Sequence, residues 1–322
     1  MDRFIRGHYT VLSTEFQQRL AGGAPTAGWR WLPDAAPLGV VQIIHGMAEH
    51  CARYARLAES LCGAGYAVYA HDLPGHGPKS PPELRGHFAD RRGWRLAIGS
   101  IRNVQRLAQL EQPNKLPFYM LGHSMGSFLL QYYVADFGSS LSGAIFSATT
   151  GNFGRSRALG LALVRAEALI YGRRHPSAVG EALSFKTFNK QFKPARTPFD
   201  WLSRDAAEVD RYVADPLCGF RCSTGLWMDL LDAGRVLTAP ARLRRVPKSL
   251  PVLLIAGEDD PVSRGAKGPA ALESHYRQAG LRDVYTHIYP KARHELFNDK
   301  CREQVTADVI AWLRNHRQGP LS

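Results

Sequence analysis

The chain has 322 residues, of which 45% are hydrophobic and 21% are charged. This balance predicts one large globular domain with an insertion, or two small domains, and excludes a disordered chain. The net charge of +13 is dispersed along the sequence without an RNA- or DNA-binding motif, so we exclude nucleic acid as a partner and expect the charge to favour anionic lipid surfaces or substrates.

Strands and helices alternate through most of the chain. Residues 8–16 and 27–32 predict an antiparallel hairpin. Residues 38–44 form an almost continuous apolar run, which is typical of a strand buried on both faces. The remaining predicted elements are, in chain order, a helix at 52–62, a strand at 66–70, a helix at 92–110, strands at 116–121, 141–147 and 251–257, a helix at 270–278, a strand at 284–289 and a helix at 303–315.

This alternation predicts an α/β fold with a mostly parallel sheet and helices on both faces. Residues 151–246 interrupt the pattern with helical pieces and no strands. Because this block falls between two sheet strands, we expect a helical cap over the carboxyl ends of the strands, where such sheets carry their sites. The predicted core therefore comprises residues 1–150 and 247–322, and the cap comprises residues 151–246.

The N-terminal segment and the cysteines indicate where the protein works. Residues 1–8 lack the apolar core of a signal peptide, and no apolar run reaches the length of a membrane span. The five cysteines are odd in number and scattered, which favours a reducing compartment. Cys218 and Cys222 lack the usual metal spacing and a second pair, so we expect neither a metal nor a cofactor. The prediction is a cytoplasmic protein with peripheral contact with the inner membrane surface.

The pentapeptide G-H-S-M-G at residues 122–126 joins the apolar run at 116–121 to a helical stretch. A strand that turns sharply into a helix through G-x-S-x-G is a nucleophile elbow, which lifts the serine hydroxyl clear of the sheet. A Cβ at Gly122 or Gly126 would collide with the neighbouring strand and helix. The same pentapeptide also occurs in ordinary loops, so the role of Ser124 as a nucleophile depends on partners elsewhere in the chain.

A serine hydroxyl is a poor nucleophile until a base takes its proton, and the base needs an oriented acid. In proteins with a nucleophile elbow the order is serine, then Asp or Glu, then His. An acidic cluster at residues 258–260 follows one late strand, and His294 follows the next. Acidic clusters are ordinarily solvated and lone histidines ordinarily structural. The order and the placement at strand ends nevertheless predict a catalytic triad with Ser124.

Several further motifs accompany the elbow: H-G-M-A-E-H at 45–50 with R-Y at 53–54, H-D-L-P-G-H-G at 71–77, G-E-D-D-P-V at 257–262 and, in the cap, L-S-R-D at 202–205 and D-P-L at 215–217. Together they resemble the monoacylglycerol lipase and lysophospholipase group of serine α/β-hydrolases, which implies the α/β-hydrolase fold. The resemblance spans nearly the whole chain. The cap matches only in short patches, so it leaves the substrate undefined.

The resemblance implies that Ser124 is the nucleophile, Asp260 the orienting acid and His294 the general base. It selects Asp260 over Asp259 because the family pattern places the acid three residues after a glycine, here Gly257. A histidine held by a carboxylate can accept the serine proton and stay oriented while it is charged.

The resemblance also implies an oxyanion hole formed by the backbone N–H groups of Met47 and Met125. The chemistry requires two such donors, one of them on the residue after the nucleophile. Glu49 and Arg53 are four residues apart, so we expect them to pair with each other or to brace the oxyanion loop. His123 is expected to form structural hydrogen bonds rather than to act as a catalyst.

The predicted activity is the hydrolysis of a single-chain lipid ester, a monoacylglycerol or a lysophospholipid, by a carboxylic ester hydrolase that forms an acyl-enzyme on Ser124. The alternatives within the fold are a short-chain carboxylesterase or thioesterase, an acyltransferase and a peptidase. The alternative from another class is an inactive α/β-hydrolase domain that only binds a ligand. The head group, the acyl-chain length and the oligomeric state are left open by the sequence.

The predicted cap carries much of the positive charge. Residues 151–246 contain 16 Lys and Arg and 9 Asp and Glu, which gives +7 of the total of +13. The runs at 158–164 and 168–171 are apolar but too short to span a bilayer. They predict a segment that lies on an anionic membrane or lines an acyl tunnel. The alternative is that they only pack the cap onto the sheet while the arginines are solvated.

Overall fold

A computed structural model describes residues 2–6, 9–19, 25–112, 115–154 and 156–317. In these residues nine strands form one sheet in the order β1-β2-β3-β5-β4-β6-β7-β8-β9. The strands are β1 (Asp2–Arg6), β2 (Tyr9–Arg19), β3 (Pro25–Leu32), β4 (Gly39–Ile44), β5 (Tyr66–His71), β6 (Phe118–His123), β7 (Gly143–Ser147), β8 (Val252–Gly257) and β9 (Val284–Tyr289).

The described α-helices connect these strands, and three of them are a single turn or little more. They are α1 (Ala55–Gly63), α2 (Gly93–Glu111), α3 (Met125–Phe137), α4 (Ser156–Tyr171), α5 (Ala178–Leu183), α6 (Phe185–Phe188), α7 (Ala206–Ala214), α8 (Thr224–Leu237), α9 (Pro240–Leu243), α10 (Lys267–Gln278) and α11 (Arg302–Asn315). None of the helices described here is both long and apolar enough to cross a membrane.

The strands from β4 onward pair in parallel with their neighbours, whereas β1, β2 and β3 form an antiparallel edge that joins the sheet at β5. Every residue of β4, β6 and β8 is buried, as expected for strands covered on both faces. One apolar core includes residues of α2, α3 and α10, and the other includes residues of α1 and α11. The predicted α/β-hydrolase fold, a mostly parallel sheet covered on both faces, is confirmed.

The structure corrects the sequence prediction in a few places. Strand β1 was not predicted; it extends the antiparallel edge by pairing with β2. The predicted hairpin is present as β2 and β3, while its connection at residues 20–24 lies outside the described residues. The predicted helix at 52–62 begins as a 3₁₀ turn (Cys51–Tyr54), so α1 begins only at Ala55.

Residues 151–246 carry helices α4 to α9 between β7 and β8, and the part of this segment that is described contains no strand. Among the described residues of this segment, the one β-type pairing is an isolated bridge between Pro176 and Ser223. The segment is therefore helical, as predicted, and it follows one buried strand and precedes another.

Candidate active site

Ser124 occupies a strained turn between β6 and α3. Its φ of 52° and ψ of −120° lie in a region that non-glycine residues rarely adopt. The turn is tight because a Cβ at Gly122 would approach the Gly126 carbonyl oxygen to 2.5 Å, and a Cβ at Gly126 would approach the Ile44 carbonyl oxygen to 2.2 Å. Both glycines are thus required by close backbone approach, and this is the geometry of a nucleophile elbow.

Asp260 and His294 form a buried pair. The Asp260 Oδ1 lies 2.8 Å from the His294 Nδ1, and both side chains are almost inaccessible to solvent. The same carboxylate accepts the backbone N–H groups of Val262 and Ser263 at 2.9 and 3.3 Å. Burial alone would raise the pKa of Asp260, but the charge and hydrogen bond of His294 and these other donors lower that pKa below its usual value. Asp259, in contrast, is exposed.

His294 packs beside the elbow. Its ring centroid is 4.8 Å from that of His123, the residue before Ser124, and 4.8 Å from that of Trp201. Within the described part of the chain, Ser124 Oγ forms no hydrogen bond. Catalytic hydrogen bonds often tighten only when substrate binds, so this geometry is compatible with a serine–histidine pair. The catalytic roles of Ser124, Asp260 and His294 remain predictions.

The loop after β4 approaches the serine closely. A Cβ at Gly46 would lie 3.2 Å from the Ser124 Cβ, and Ala48 adopts a φ of 55°. Met47 and Met125 line the same cavity as Ser124. Among described residues, neither of their backbone N–H groups has a hydrogen-bond acceptor outside regular secondary structure. These two donors therefore stay available for an oxyanion, although their role is still a prediction.

A buried ion-pair network supports this loop. Arg53 donates to Glu49 at 2.7 Å and to both carboxylate oxygens of Glu295 at 2.6 Å. Glu49 in turn accepts the Gly46 backbone N–H at 2.5 Å. The predicted Glu49–Arg53 pair is therefore present, and Glu49 also holds the backbone of the loop after β4. The sequence did not predict Glu295, which directly follows His294 and extends the network to the histidine loop.

The pKa values of the two carboxyl groups of this network shift in opposite directions. Burial raises the pKa of Glu49 above its usual value, against the opposing effect of Arg53. Burial would also raise the pKa of Glu295, but the charge of Arg53 and its two hydrogen bonds lower that pKa below its usual value. Arg53 thus connects the loop that carries one predicted oxyanion donor with the loop that carries the predicted base.

A cavity of about 500 Å³ opens beside Ser124. Its volume is within the usual range for small-molecule sites. The predicted cap contributes much of the wall, and the polar groups are few. The apolar and aromatic lining residues are Met47, Met125, Phe128, Phe153, Val164, Leu183, Phe185, Phe188, Trp201, Trp227, Leu230, Leu231, Pro261 and Val262.

One group of three side chains in the described structure brings metal-ligand types together. The candidate ligand atoms of His50, Asp215 and Cys218 lie within 4.8 Å of one another. His50 Nε2 and Asp215 Oδ2 already form a hydrogen bond with each other at 2.8 Å. Because His50 is distant in sequence from the other two residues, motif spacing did not predict this group.

Buried histidines around the site make stability depend on pH. Burial lowers the pKa of His71 and His123 to about 3, lowers that of His76 to about 4, and lowers that of His45 well below 6.5. Because the unfolded chain takes up these protons near pH 6.5 and the folded chain does not, stability falls as pH falls below 6.5. Each of these histidines lowers the free energy of unfolding by up to about 2 kcal/mol when the pH falls from 7 to 5.

Buried carboxyl groups with a raised pKa, such as Glu49 and Asp229, work in the opposite direction. Burial raises the pKa of Asp229 to about 6, so the folded chain takes up this proton first on acidification. We expect the histidines to dominate because they are more numerous. Urea unfolding midpoints should therefore fall steadily from pH 7 to pH 5. A constant or rising midpoint over that range would show that the histidines are not neutral in the folded state.

Comparison with known proteins finds a family model, relatives and a solved structure that match most of the chain. A family model described as serine aminopeptidase, S33, matches residues 35–301. The chain is 28% identical over 311 residues to a monoacylglycerol lipase of Mycolicibacterium smegmatis, which covers 95% of this chain and 99% of that protein. It is 29% identical over 290 residues to human monoglyceride lipase, which covers 88% and 84% respectively. A solved carboxyl esterase from Bacillus coagulans, in complex with glycerol, superimposes with a TM-score of 0.86 at 27% identity, covering 95% of this chain and 99% of that one.

The sheet and the strained elbow define the class of protein as an α/β-hydrolase. The chain belongs to the serine aminopeptidase S33 family of that class, since the family model matches most of its length. Its relatives place it in the monoglyceride lipase type group of the family, and the predicted resemblance is confirmed.

Proposed function

We propose that the protein hydrolyses a single-chain lipid ester, a monoacylglycerol or a lysophospholipid, through an acyl-enzyme on Ser124. The chain is a carboxylic ester hydrolase of its family, as the sequence predicted. The observation that best supports hydrolysis of a lipid ester through Ser124 is the strained backbone of this serine in the wall of a mainly apolar cavity. The relatives named as monoacylglycerol and monoglyceride lipases point to the same substrate class.

In the proposed mechanism, Ser124 Oγ attacks the ester carbonyl while His294 Nε2 takes its proton. Asp260 holds the Nδ1–H of His294 and stabilises the imidazolium that forms. The backbone N–H groups of Met47 and Met125 bind the oxyanion. His294 then returns the proton to the departing alcohol. Water activated by His294 attacks the acyl-enzyme and releases the fatty acid, with no metal or cofactor involved.

The proposal includes a cap of residues 151–246 over a core of residues 1–150 and 247–322. Phe185 and Trp227 from the helical segment line the same cavity as Ser124 and Val262 from the rest of the chain. Such an arrangement would exclude water from the reacting ester and would hold the acyl chain against aromatic side chains.

A peptidase is the alternative suggested by the family description. An aminopeptidase must hold the α-ammonium group of its substrate, and a carboxylate normally does this. Among the described residues that line the cavity there is no Asp or Glu, and Asp260 is fully buried in its pair with His294. The electrostatics of the cavity therefore favour the ester hydrolase.

A hydrolysis panel tests the proposal. The panel comprises monoacylglycerols, lysophospholipids, acyl-CoA and p-nitrophenyl esters of graded chain length, each at concentrations that give kcat/KM. We expect the highest kcat/KM for single-chain glycerol-based esters with chains long enough to fill the apolar cavity. A preference for acyl-CoA would indicate a thioesterase, and the absence of turnover with every substrate would indicate a ligand-binding domain.

We also propose that helix α4 contacts a membrane surface, in a cytoplasmic enzyme whose five free thiols stay reduced. Leu169 and Ile170 near its end are 89% and 72% exposed, which is unusual for adjacent large apolar side chains. Leu159 and Tyr171 are also exposed on this helix. An apolar surface of this kind can enter the headgroup region of a bilayer without spanning it.

The helical segment of residues 151–246 has less unpaired positive charge than its composition alone indicates, because several of its arginines form ion pairs with carboxylates. Arg165 pairs with Asp232 at 3.0 Å and Arg174 pairs with Asp90 at 2.6 Å. We still expect stronger binding to anionic than to neutral vesicles, weakened by salt, because the net charge of the chain is +13.

Vesicle flotation of a matched pair of variants tests this contact. Leu169→Ser should weaken vesicle binding roughly tenfold, because one leucine side chain no longer leaves water. Leu110→Ser is the control, since Leu110 is 81% exposed but lies on α2. Equal binding of the two variants, or binding to neutral and anionic lipid that is equal and unaffected by salt, would leave α4 as an ordinary hydrophobic lid.

A further inference from the structure

The cavity beside Ser124 carries charge of one sign only. Among the described residues that line it, the only ionisable side chains that are charged at neutral pH are Arg157 and Arg264. Arg157 comes from helix α4 in the helical segment of residues 151–246, whereas Arg264 comes from the loop after β8. The remaining wall is mainly apolar, with Arg157 half-buried and Arg264 exposed to solvent.

Neither arginine has an acidic partner in the described structure, although most arginines of the helical segment do. Arg157 donates one Nη1 hydrogen bond to the Leu231 carbonyl at 3.0 Å. Arg264 donates one Nη2 hydrogen bond to the Asn152 carbonyl at 3.1 Å. Each guanidinium is therefore tethered through a single nitrogen and keeps further N–H donors and its full charge for a ligand.

The backbone around both arginines is locally unfavourable for them. Arg264 adopts a φ of 54°, which is uncommon for a non-glycine residue. Arg157 lies in the first turn of α4, where the helix dipole disfavours a cation, and no acidic residue accompanies it there. Local violations of this kind are typical of functional positions rather than of packing positions.

We propose that Arg157 and Arg264 form an anion subsite that binds the phosphate of a lysophospholipid head group while the ester lies at Ser124. Guanidinium groups suit this ligand because their planar N–H donors match phosphate oxygens. The inference rests on the proposed ester hydrolysis and narrows its substrate class, because a neutral monoacylglycerol has no group for these two cations. It adds no chemical step to the mechanism.

A matched pair of soluble substrates tests the subsite by kinetics. 1-Octanoylglycerol and 1-octanoylglycerol 3-phosphate share the ester and the chain and differ only in the phosphate, and below their micellar concentrations no lipid surface is present. We expect the kcat/KM ratio of phosphate ester to neutral ester to fall about tenfold in Arg157→Gln and in Arg264→Gln. Arg106→Gln is the control, because Arg106 is exposed on α2 and does not line the cavity.

A binding measurement separates failure of the subsite from failure of the proposed hydrolysis. Calorimetric titration of the folded protein with octyl phosphate and with octanol requires no turnover. We expect octyl phosphate to bind more tightly than octanol, and Arg157→Gln and Arg264→Gln to remove most of this difference. The subsite is wrong if both variants keep the wild-type preference for octyl phosphate or if Arg106→Gln loses as much of it. Absence of ester turnover with intact octyl phosphate binding would overturn only the proposed hydrolysis.

Discussion

Replacing Ser124 with alanine is expected to reduce kcat/KM for ester hydrolysis by at least about 10⁴-fold while the protein stays folded. The expectation follows from the loss of the attacking oxygen, since only the oxyanion donors and substrate binding would still assist water. Alanine at this position keeps a Cβ that the strained backbone already accommodates. Steady-state hydrolysis of a p-nitrophenyl ester measures the effect, and circular dichroism reports folding.

Ser139→Ala is the control for this experiment, because Ser139 is exposed and does not line the cavity beside Ser124. It should retain wild-type kinetics. If Ser124→Ala kept more than a few per cent of the wild-type rate, the nucleophile would have to be another group. His294→Ala should resemble Ser124→Ala, because the serine and its base act as one unit.

The second large effect concerns the acid. Asp260→Asn is expected to lower kcat by about 10⁴-fold, because an amide cannot stabilise the imidazolium and favours the wrong histidine tautomer. Asp259→Asn makes the same chemical change one residue earlier, at an exposed side chain. It should have little effect. The comparison is made by kcat at pH values from 6 to 9, so that a shifted pH profile is not mistaken for lost catalysis.

Asp260→Asn also carries a structural risk, because the carboxylate accepts two backbone N–H groups and the histidine. Thermal unfolding of both variants therefore accompanies the kinetics. A severe loss in Asp259→Asn with normal activity in Asp260→Asn would place the acid one residue earlier than proposed.

Much of the fold was predictable because its signals are local. The buried strands β4, β6 and β8 are short apolar runs between glycines or polar loops, and their order along the chain is enough to predict a parallel sheet. The candidate triad was predictable for the same reason, since Ser124 directly follows β6 and the other two members lie in the loops that follow β8 and β9. The 2.8 Å contact between Asp260 and His294 agrees with the choice of Asp260 over Asp259.

Long-range contacts were not predictable in this way. Glu295 binds Arg53 across 242 positions of sequence, and only its place after His294 could have suggested a role. The net charge of the helical segment also did not reveal how much of that charge is paired, because partners such as Asp90 and Asp136 lie outside the segment. The two unpaired arginines of the cavity become distinct only when the pairing of the others is known.

The most direct test of the account is stoichiometric labelling with a fluorophosphonate, measured by intact mass and peptide mapping. This reagent reacts with a serine only where a base and an oxyanion hole activate it. We predict one adduct per chain in the wild type, on the peptide that contains Ser124, and no adduct in Ser124→Ala. Labelling that persists in Ser124→Ala, or an adduct mapped to another residue in the wild type, would contradict the assignment of Ser124 as the nucleophile.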